Sequence, residues 1–198
     1  MREKRDAAAA SPASAAKNER FEFDSADALL VIDVINDFEH EDGDRLLASF
    51  EERLTAMTEA LSGARAAGVP VIYVNDERGR WDSDAPALIR AVLESVRGAG
   101  IVEHLAPRSG DRFLLKHRYS AFDHTPLDLL IEQLQVDRLV LIGAATEGCI
   151  VQTAIDAREH GLKTTIIADA CAGTDPELEA IALHYARRVV GAHIAHRQ

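Results

Sequence analysis

Apolar, β-branched runs alternate with segments of helical periodicity along most of this chain, and that alternation limits the folds open to it. The runs, each typical of a buried strand, are ALLVID (28–33), VPVIYVN (69–75), RFLLKH (112–117), RLVLIG (138–143), TTIIAD (164–169) and AHIA (192–195). Strands that alternate with helices favour right-handed crossovers. The pattern therefore predicts an α/β fold: a doubly wound, mostly parallel six-stranded sheet with helices on both faces, a three-layer arrangement of the Rossmann type.

Helices are predicted between the runs, and the pattern gives their approximate bounds. They are expected over 44–68, 85–96, 126–134, 149–160 and 176–190, while 97–111 is expected to be a loop with at most a short strand. Residues 21–198 are predicted to form a single domain. Residues 1–20, rich in Ala and Ser, are expected to be a disordered or loosely ordered extension, with docking on another subunit as the alternative.

Charge and cysteine content exclude several classes of function. The net charge of −11 disfavours nucleic acid or an anionic membrane as a partner. With two cysteines the chain does not resemble a disulfide-rich secreted protein, and it has no apolar run long enough to cross a bilayer. A cytoplasmic protein that binds a small molecule is the expectation.

Polar residues stand where several predicted strands end. Asp33, Asn75-Asp76 and Lys116 occupy such positions. In parallel sheets ligands bind beyond the carboxyl ends of the strands, so these residues are placed for function. A buried charge is costly unless it is paired, so Asp33 and Lys116 are expected to pair; a plain salt bridge is the alternative to a catalytic role. Neither a dinucleotide fingerprint nor a phosphate-binding loop motif is present, which argues against nucleotide binding.

Cys149 follows the fourth strand at the start of a predicted helix. The helix terminus is expected to lower the pKa of the thiol and to make it a nucleophile. A small buried apolar side chain is the alternative, and this is the interpretation preferred for Cys171. In the catalytic interpretation, Asp33 takes the thiol proton, Lys116 keeps that carboxylate ionised, and backbone N–H groups near Cys149 receive a developing oxyanion.

Three segments together, DVINDF (33–38), FLLK (113–116) and GAATEGCI (143–150), resemble the isochorismatase-like cysteine hydrolases. That superfamily includes nicotinamidases, N-carbamoylsarcosine amidases, ureidoacrylate amidohydrolases and isochorismatases. The resemblance spans residues 27–195. It implies hydrolysis of a C–N bond in a small amide, ureide or carbamoyl compound through a cysteine thioester, and a homo-oligomer (dimer or tetramer).

The same resemblance implies a role for each matching position. Cys149 corresponds to the nucleophile, Asp33 to the general base and Lys116 to the cation of the triad. The peptide bond between Ala144 and Ala145 corresponds to a cis bond, and the N–H groups of Ala145 and Cys149 to the oxyanion hole. Substrate contacts are expected from aromatic residues in loops after strands, namely Phe38, Trp81 and Tyr119.

The sequence departs from the nicotinamidase pattern near Asp76. Nicotinamidases hold a metal through an Asp-x-His pair and a further histidine, whereas Arg78 stands two residues after Asp76 here. We therefore predict no metal and no cofactor. A nicotinamidase with a non-standard metal site near Asp76 and a non-catalytic small-molecule-binding relative remain as alternatives.

Overall fold

The computed structural model describes residues 21–77 and 84–196. Its sheet contains six strands, all parallel, in the order β3-β2-β1-β4-β5-β6. They are β1 (Asp27–Ile32), β2 (Val71–Asp76), β3 (Arg112–Lys116), β4 (Arg138–Ala144), β5 (Lys163–Ala172) and β6 (His193–Ala195). The predicted doubly wound, six-stranded fold is confirmed. The predicted extension at residues 1–20 lies outside the described residues.

Helices connect the strands in the described part of the chain. They are α1 (Gly43–Ala67), α2 (Ala85–Leu93), α3 (Ala99–Leu105), α4 (Leu127–Leu134), α5 (Val151–Glu159) and α6 (Pro176–Tyr185), with π-helical turns at Thr146–Ile150 and Ala186–Val190. Within these residues, even the longest helix lacks the sustained apolar character needed to cross a membrane.

Local signals account for several helix ends. Helix α1 stops at Gly68, which adopts a left-handed conformation (φ 72°) that a residue without Cβ enters at no steric cost. Helix α2 starts at Asp84, whose carboxylate accepts a hydrogen bond from the Ala87 N–H at 2.7 Å, and Pro86 fits in its first turn. Both ends agree with the sequence pattern.

One predicted loop is wrong. The stretch 97–111 contains helix α3 instead of a loop with a short strand. Its apolar residues Ile101, Val102 and Leu105 are spaced for one helical face, and all three are buried in the core. The seven-residue helix is too short to give a clear periodic signal, and packing against neighbouring elements stabilises it.

The sheet separates two apolar layers. Leu29 and Val31 of β1 face the layer that contains α1, α2 and α3, while Leu30 and Ile32 face the layer that contains α4 and α5. All six residues of β1 are buried, which explains why the strand is apolar without alternation.

The chain changes direction across the sheet on either side of β1. From β1 it proceeds outward through β2 and β3, then returns to place β4 on the other side of β1 and continues through β5 and β6. A crevice forms at such a switch point, beyond the carboxyl ends of β1 and β4. The residues that follow these strands therefore meet at one edge of the sheet.

Candidate active site

A cavity of about 470 Å³ lies at this edge. Its walls come from the loops after β1, β3, β4 and β5, with contributions from the end of β2 and from α1. The lining residues are Asp33, Ile35, Asn36, His40, Asp42, Leu46, Asn75, Asp76, Tyr119, Ala144, Ala145, Cys149 and Thr174.

Three of the ionisable residues named from sequence meet beside this cavity. Lys116 Nζ lies 2.8 Å from Asp33 Oδ2 and donates a hydrogen bond to Cys149 Sγ at 3.3 Å. Lys116 Nζ also donates to the carbonyl oxygen of Arg118 at 2.9 Å. The expected pairing of Asp33 with Lys116 is confirmed, and the pair has the cysteine sulfur as a third member.

Asp33 and Lys116 are held by the ends of their strands. Asp33 directly follows β1 with a positive φ of 52°, and its Oδ1 accepts a hydrogen bond from the Asp76 N–H at 2.6 Å. Lys116 is the last residue of β3, in register with Asp76 at the end of β2. Asp76 at the end of β2 thus lies between the two charged residues: its N–H binds the Asp33 carboxylate, and its backbone is paired with that of Lys116.

Cys149 lies in the π-helical turn that follows β4. The peptide bond between Ala144 and Ala145 is cis, and both residues line the cavity. Just before them, Gly143 (φ 116°) has no room for a side chain, since a Cβ would lie 2.0 Å from the Ile32 carbonyl oxygen. This close approach of β4 to the end of β1 brings the cysteine turn next to Asp33.

The electrostatics of the three groups follow from burial and from their mutual contact. Burial raises the pKa of the Asp33 carboxyl, and the Lys116 ammonium offsets only part of the rise. Burial alone would lower the pKa of Lys116, but the Asp33 carboxylate and the Cys149 sulfur outweigh it, so the pKa of Lys116 is raised. Lys116 is thus held as an ammonium, in contact with the carboxylate and the sulfur.

The expectation of a lowered pKa for Cys149 is wrong. Burial, followed by the neighbouring Asp33 carboxylate, raises the pKa of this thiol to about 12. The favourable field of a helix terminus is smaller than the cost of a buried thiolate beside a carboxylate. The sulfur is therefore a thiol at rest, and it needs a proton acceptor beside it to react.

Asn75 is a residue whose role the sequence did not indicate. Its side-chain Oδ1 accepts from the Ile35 N–H at 2.9 Å, and its Nδ2 donates to the Ile35 carbonyl oxygen at 3.1 Å. This paired contact fixes the loop after β1, and Ile35 forms part of the cavity wall. The position of Asn75 at a strand end was a signal; its partner 40 residues away was not predictable from spacing.

The three aromatic candidates have different outcomes. The prediction for Phe38 is wrong: its ring is fully buried against Phe50, at 5.3 Å between ring centroids, and does not line the cavity. Tyr119 lies at the cavity with 72% of its surface exposed. Trp81 lies outside the described residues. Sequence reasoning also did not identify Asn36, His40, Asp42 and Thr174 as lining residues.

The residues around Asp76 do not fit a metal centre of the nicotinamidase type. The next residue, Glu77, is buried and pairs with His117 Nδ1 at 2.6 Å. Among residues 21–77 and 84–196, no three or more His, Cys, Asp or Glu side chains are grouped so that they could hold an ion.

Comparisons with known proteins agree with the fold. The family model described as "Isochorismatase domain" matches residues 27–198. An uncharacterised isochorismatase family protein of Bacillus subtilis, YaaI, is 34% identical, over 84% of this chain and 92% of its own length. Maleamate amidohydrolase of Pseudomonas putida is 29% identical, over 78% and 76%. The structure of N-carbamoylsarcosine amidase from Thermoplasma acidophilum superposes with a TM-score of 0.67 at 28% identity, covering 87% of this chain and 96% of that one.

Proposed function

The chain belongs to the isochorismatase family, and on that basis we propose that it is a cysteine amidohydrolase that cleaves a C–N bond of a small amide, ureide or carbamoyl compound. The observation that carries the proposal is the cluster of Asp33, Lys116 and Cys149 beside a cavity. A thiol, a carboxylate and an ammonium in mutual contact are the groups that a covalent acyl transfer requires.

In the proposed first step, the Cys149 sulfur bonds to the carbonyl carbon while its proton passes to the Asp33 carboxylate. Two features support Asp33 as the acceptor: burial raises its pKa, which makes it a stronger base, and the thiol, with a pKa of about 12, does not ionise unaided near neutral pH. The Lys116 ammonium stabilises the negative charge as it moves from carboxylate to sulfur.

The tetrahedral intermediate carries an oxyanion, for which we propose the backbone N–H groups of Ala145 and Cys149 as donors. Both residues line the cavity. When the intermediate collapses, the C–N bond breaks and the proton on Asp33 transfers to the leaving nitrogen. Ammonia or an amine departs, and a thioester remains on Cys149.

Hydrolysis of the thioester uses the same groups in reverse. A water molecule gives a proton to the Asp33 carboxylate as its oxygen attacks the thioester carbon. The C–S bond then breaks, and the sulfur recovers the proton. The acid product leaves and the resting site is regenerated, with no redox change and no requirement for a metal.

The size and lining of the cavity set the proposed substrate class. A volume of about 470 Å³ suits a small molecule, and the walls combine apolar Ile35 and Leu46 with polar Asn36 and Thr174. Relatives named for action on maleamate, ureidoacrylate and N-carbamoylsarcosine point to the same class of compact amides and carbamoyl compounds.

The proposal is tested by ammonia release from a panel of small amides, ureides and carbamoyl compounds. Wild-type protein is expected to turn over at least one of them, and Cys149→Ala to lose about 10⁴-fold or more of that activity. Cys171→Ala is the matched control, because Cys171 is a buried thiol that donates to the Leu141 carbonyl oxygen and does not line the cavity, and it should retain activity. Turnover that survives in Cys149→Ala would contradict the covalent mechanism.

Metal independence is tested in the same assay. Prior treatment with a strong chelator and addition of zinc, manganese or iron are both expected to leave the rate unchanged. Loss of rate with the chelator, restored by one metal, would favour a nicotinamidase with a non-standard metal site. Binding of a panel compound without product would favour a non-catalytic relative.

We also propose that two copies of the chain associate through α6 and the π-helical turn after it. Half of the eight large apolar side chains exposed in the described residues lie on this segment: Leu178, Ile181, Tyr185 and Val189. An acidic residue, Glu177, lies near its amino end and a basic residue, Arg188, near its carboxyl end. Antiparallel packing of two such segments pairs apolar stripe with apolar stripe and Glu177 with the arginine of the other copy.

Light scattering after size-exclusion chromatography tests this association. The wild-type mass is expected to be twice the chain mass or a multiple of that, and Ile181→Asp to reduce it to the monomer. Leu129→Asp is the control, because Leu129 and Ile181 are equally exposed, at 64%, on different helices. A monomeric wild type, or an unchanged mass in Ile181→Asp, would contradict the proposed interface.

A further inference from the structure

Glu147 lies two residues before Cys149, and its carboxylate is bonded to a loop distant in sequence. Its Oε1 accepts two hydrogen bonds from Thr174, one from the backbone N–H and one from the side-chain hydroxyl, each at 2.7 Å. Thr174 belongs to the loop after β5 and lines the cavity. One carboxylate oxygen therefore joins the turn that carries the nucleophile to the loop after β5, which forms another part of the cavity wall.

A second carboxylate, that of Glu179, also binds the turn that carries Cys149. Glu179 of α6 accepts a hydrogen bond from the Thr146 hydroxyl at 3.1 Å and pairs with Arg53 of α1 at 3.2 Å. Thr146 and Glu147 are adjacent in the cysteine turn. The turn is therefore held at two consecutive residues: Thr146 binds the carboxylate of Glu179, and Glu147 binds Thr174 through its own carboxylate. Only Glu147 has its carboxylate bonded to a residue that lines the cavity.

Packing leaves this arrangement little freedom. A Cβ on Gly173 would lie 2.4 Å from Glu147 Oε2 and 2.3 Å from Glu179 Cγ, so the loop can pass between the two acids only because residue 173 has no side chain. Gly173 donates its N–H to Ser49 Oγ at 3.1 Å, which fixes the loop from the α1 side. Thr174 thus follows a residue that is already confined.

The second oxygen of Glu147 shows that the residue is not placed for stability alone. Oε2 is buried and has no hydrogen-bond partner within the described residues, a condition that costs free energy. An amide in its place would keep an acceptor for Thr174 and remove the buried charge. The contact with Thr174 is the favourable interaction that an acceptor oxygen provides at this position.

We propose that Glu147 is a positioning residue. Through its bonds to Thr174, it sets the distance between the Cys149 turn and the part of the cavity wall that is formed by the loop after β5. This inference rests on the proposed amidohydrolase function. A displacement of the reacting sulfur from the bound carbonyl by about 1 Å can reduce the rate roughly 100-fold, so a link of this kind affects catalysis without touching the substrate.

Kinetics of four variants test the proposal. Glu147→Ala is expected to lower kcat/KM by about 10-fold to 100-fold, and Thr174→Val, which loses one of the two hydrogen bonds, by less. The double variant should be no slower than Glu147→Ala, because both changes break one link. Glu147→Gln, which retains an acceptor oxygen, should remain within about threefold of wild type, a recovery that a loss of folding would not show.

Thr165→Val is the matched control for Thr174→Val. Thr165 is a buried threonine on β5 whose hydroxyl has no partner in the described residues, so its loss should leave kcat/KM unchanged. Fully additive effects of Glu147→Ala and Thr174→Val, or equal losses in the Gln and Ala variants, would overturn the proposed link.

Amide hydrogen exchange at Thr174 provides a readout that needs no substrate. The Thr174 N–H is expected to exchange faster in Glu147→Ala than in wild type and to remain protected in Glu147→Gln. Unchanged exchange in Glu147→Ala would overturn the link whether or not the protein hydrolyses amides. Faster exchange with an unaltered kcat/KM would show a contact without a positioning role, and would also overturn the proposal.

Discussion

Each end of strand β1 carries an aspartate paired with a cation from another strand, yet the two ends are built differently. At the amino end, Asp27 accepts from Arg138 Nε at 2.7 Å and Nη2 at 2.6 Å, and from the Asp24 N–H at 2.8 Å. At the carboxyl end, Asp33 accepts from Lys116 and from the Asp76 N–H. In the pair of Asp27 with Arg138, both carboxylate oxygens accept hydrogen bonds from the guanidinium.

The difference lies in what else each carboxylate can contact. The side chain of Asp27 is 1% exposed and does not line the cavity described above, whereas that of Asp33 is 13% exposed and lines it beside Cys149. A planar guanidinium occupies both oxygens of its partner, while the single ammonium of Lys116 leaves room for a third group. A buried ion pair is thus structural or reactive according to its remaining hydrogen-bonding capacity and its access to a ligand.

Of the changes at the two ends of β1, Asp33→Asn is expected to have the largest effect, and it would establish the reactive end. An asparagine accepts the Asp76 N–H but cannot take the thiol proton, so kcat/KM should fall on the order of 10³–10⁴-fold. The measurement is ammonia release with the substrate found in the panel. Retention of more than a tenth of the wild-type rate would show that another group accepts the proton, and would remove the distinction between the two ends.

Asp27→Asn tests the structural end. An asparagine here can accept only one of the two guanidinium hydrogen bonds, because its NH₂ group would face the second guanidinium donor. The free energy of unfolding should therefore fall by about 2–3 kcal/mol. Chemical denaturation measures that loss, and kcat/KM of the folded variant should equal the wild-type value. A tenfold loss of kcat/KM without a change in stability would contradict the assignment.

The pH profile sharpens the comparison at the reactive carboxylate. Because the pKa of Asp33 is raised, kcat/KM should fall as pH drops through a midpoint above the ordinary aspartate value of 3.8, and should be level at neutral pH. The raised pKa of Lys116 preserves the ammonium through moderately alkaline pH. A rate that instead climbs steadily toward pH 9 would indicate attack by a free thiolate without Asp33.

The sheet and its reactive residues could be predicted from the sequence, because they depend on local patterns. Each strand of the sheet appears as an apolar run, and Asp33 and Lys116 stand where two of those runs end. Parallel strands bring such ends together, so placement in the fold was enough to group them. The segments 33–38, 113–116 and 143–150 together then indicated the family.

Features that depend on contacts between distant segments could not be predicted from the sequence. The raised pKa of Cys149 comes from burial and from Asp33, 116 positions earlier, neither of which is visible in the cysteine's own helix signal. Phe38 lies in the recognised motif, but its ring points into the core because Phe50 packs against it. The bond from Glu147 to Thr174 likewise joins residues that no spacing rule connects.

The smallest expected effect concerns the mouth of the cavity at the reactive end of the sheet. Tyr119 lines the cavity and is largely exposed, and a bound substrate is expected to cover part of its ring. Tyr119→Ala should therefore raise KM about twofold to tenfold, equivalent to roughly 0.5–1.5 kcal/mol, and leave kcat unchanged. Leu129→Ala, an exposed apolar residue on α4 away from the cavity, should alter neither constant. A change in kcat for Tyr119→Ala would show that the ring acts on the reacting groups, and the boundary of the reactive end would then extend to the rim.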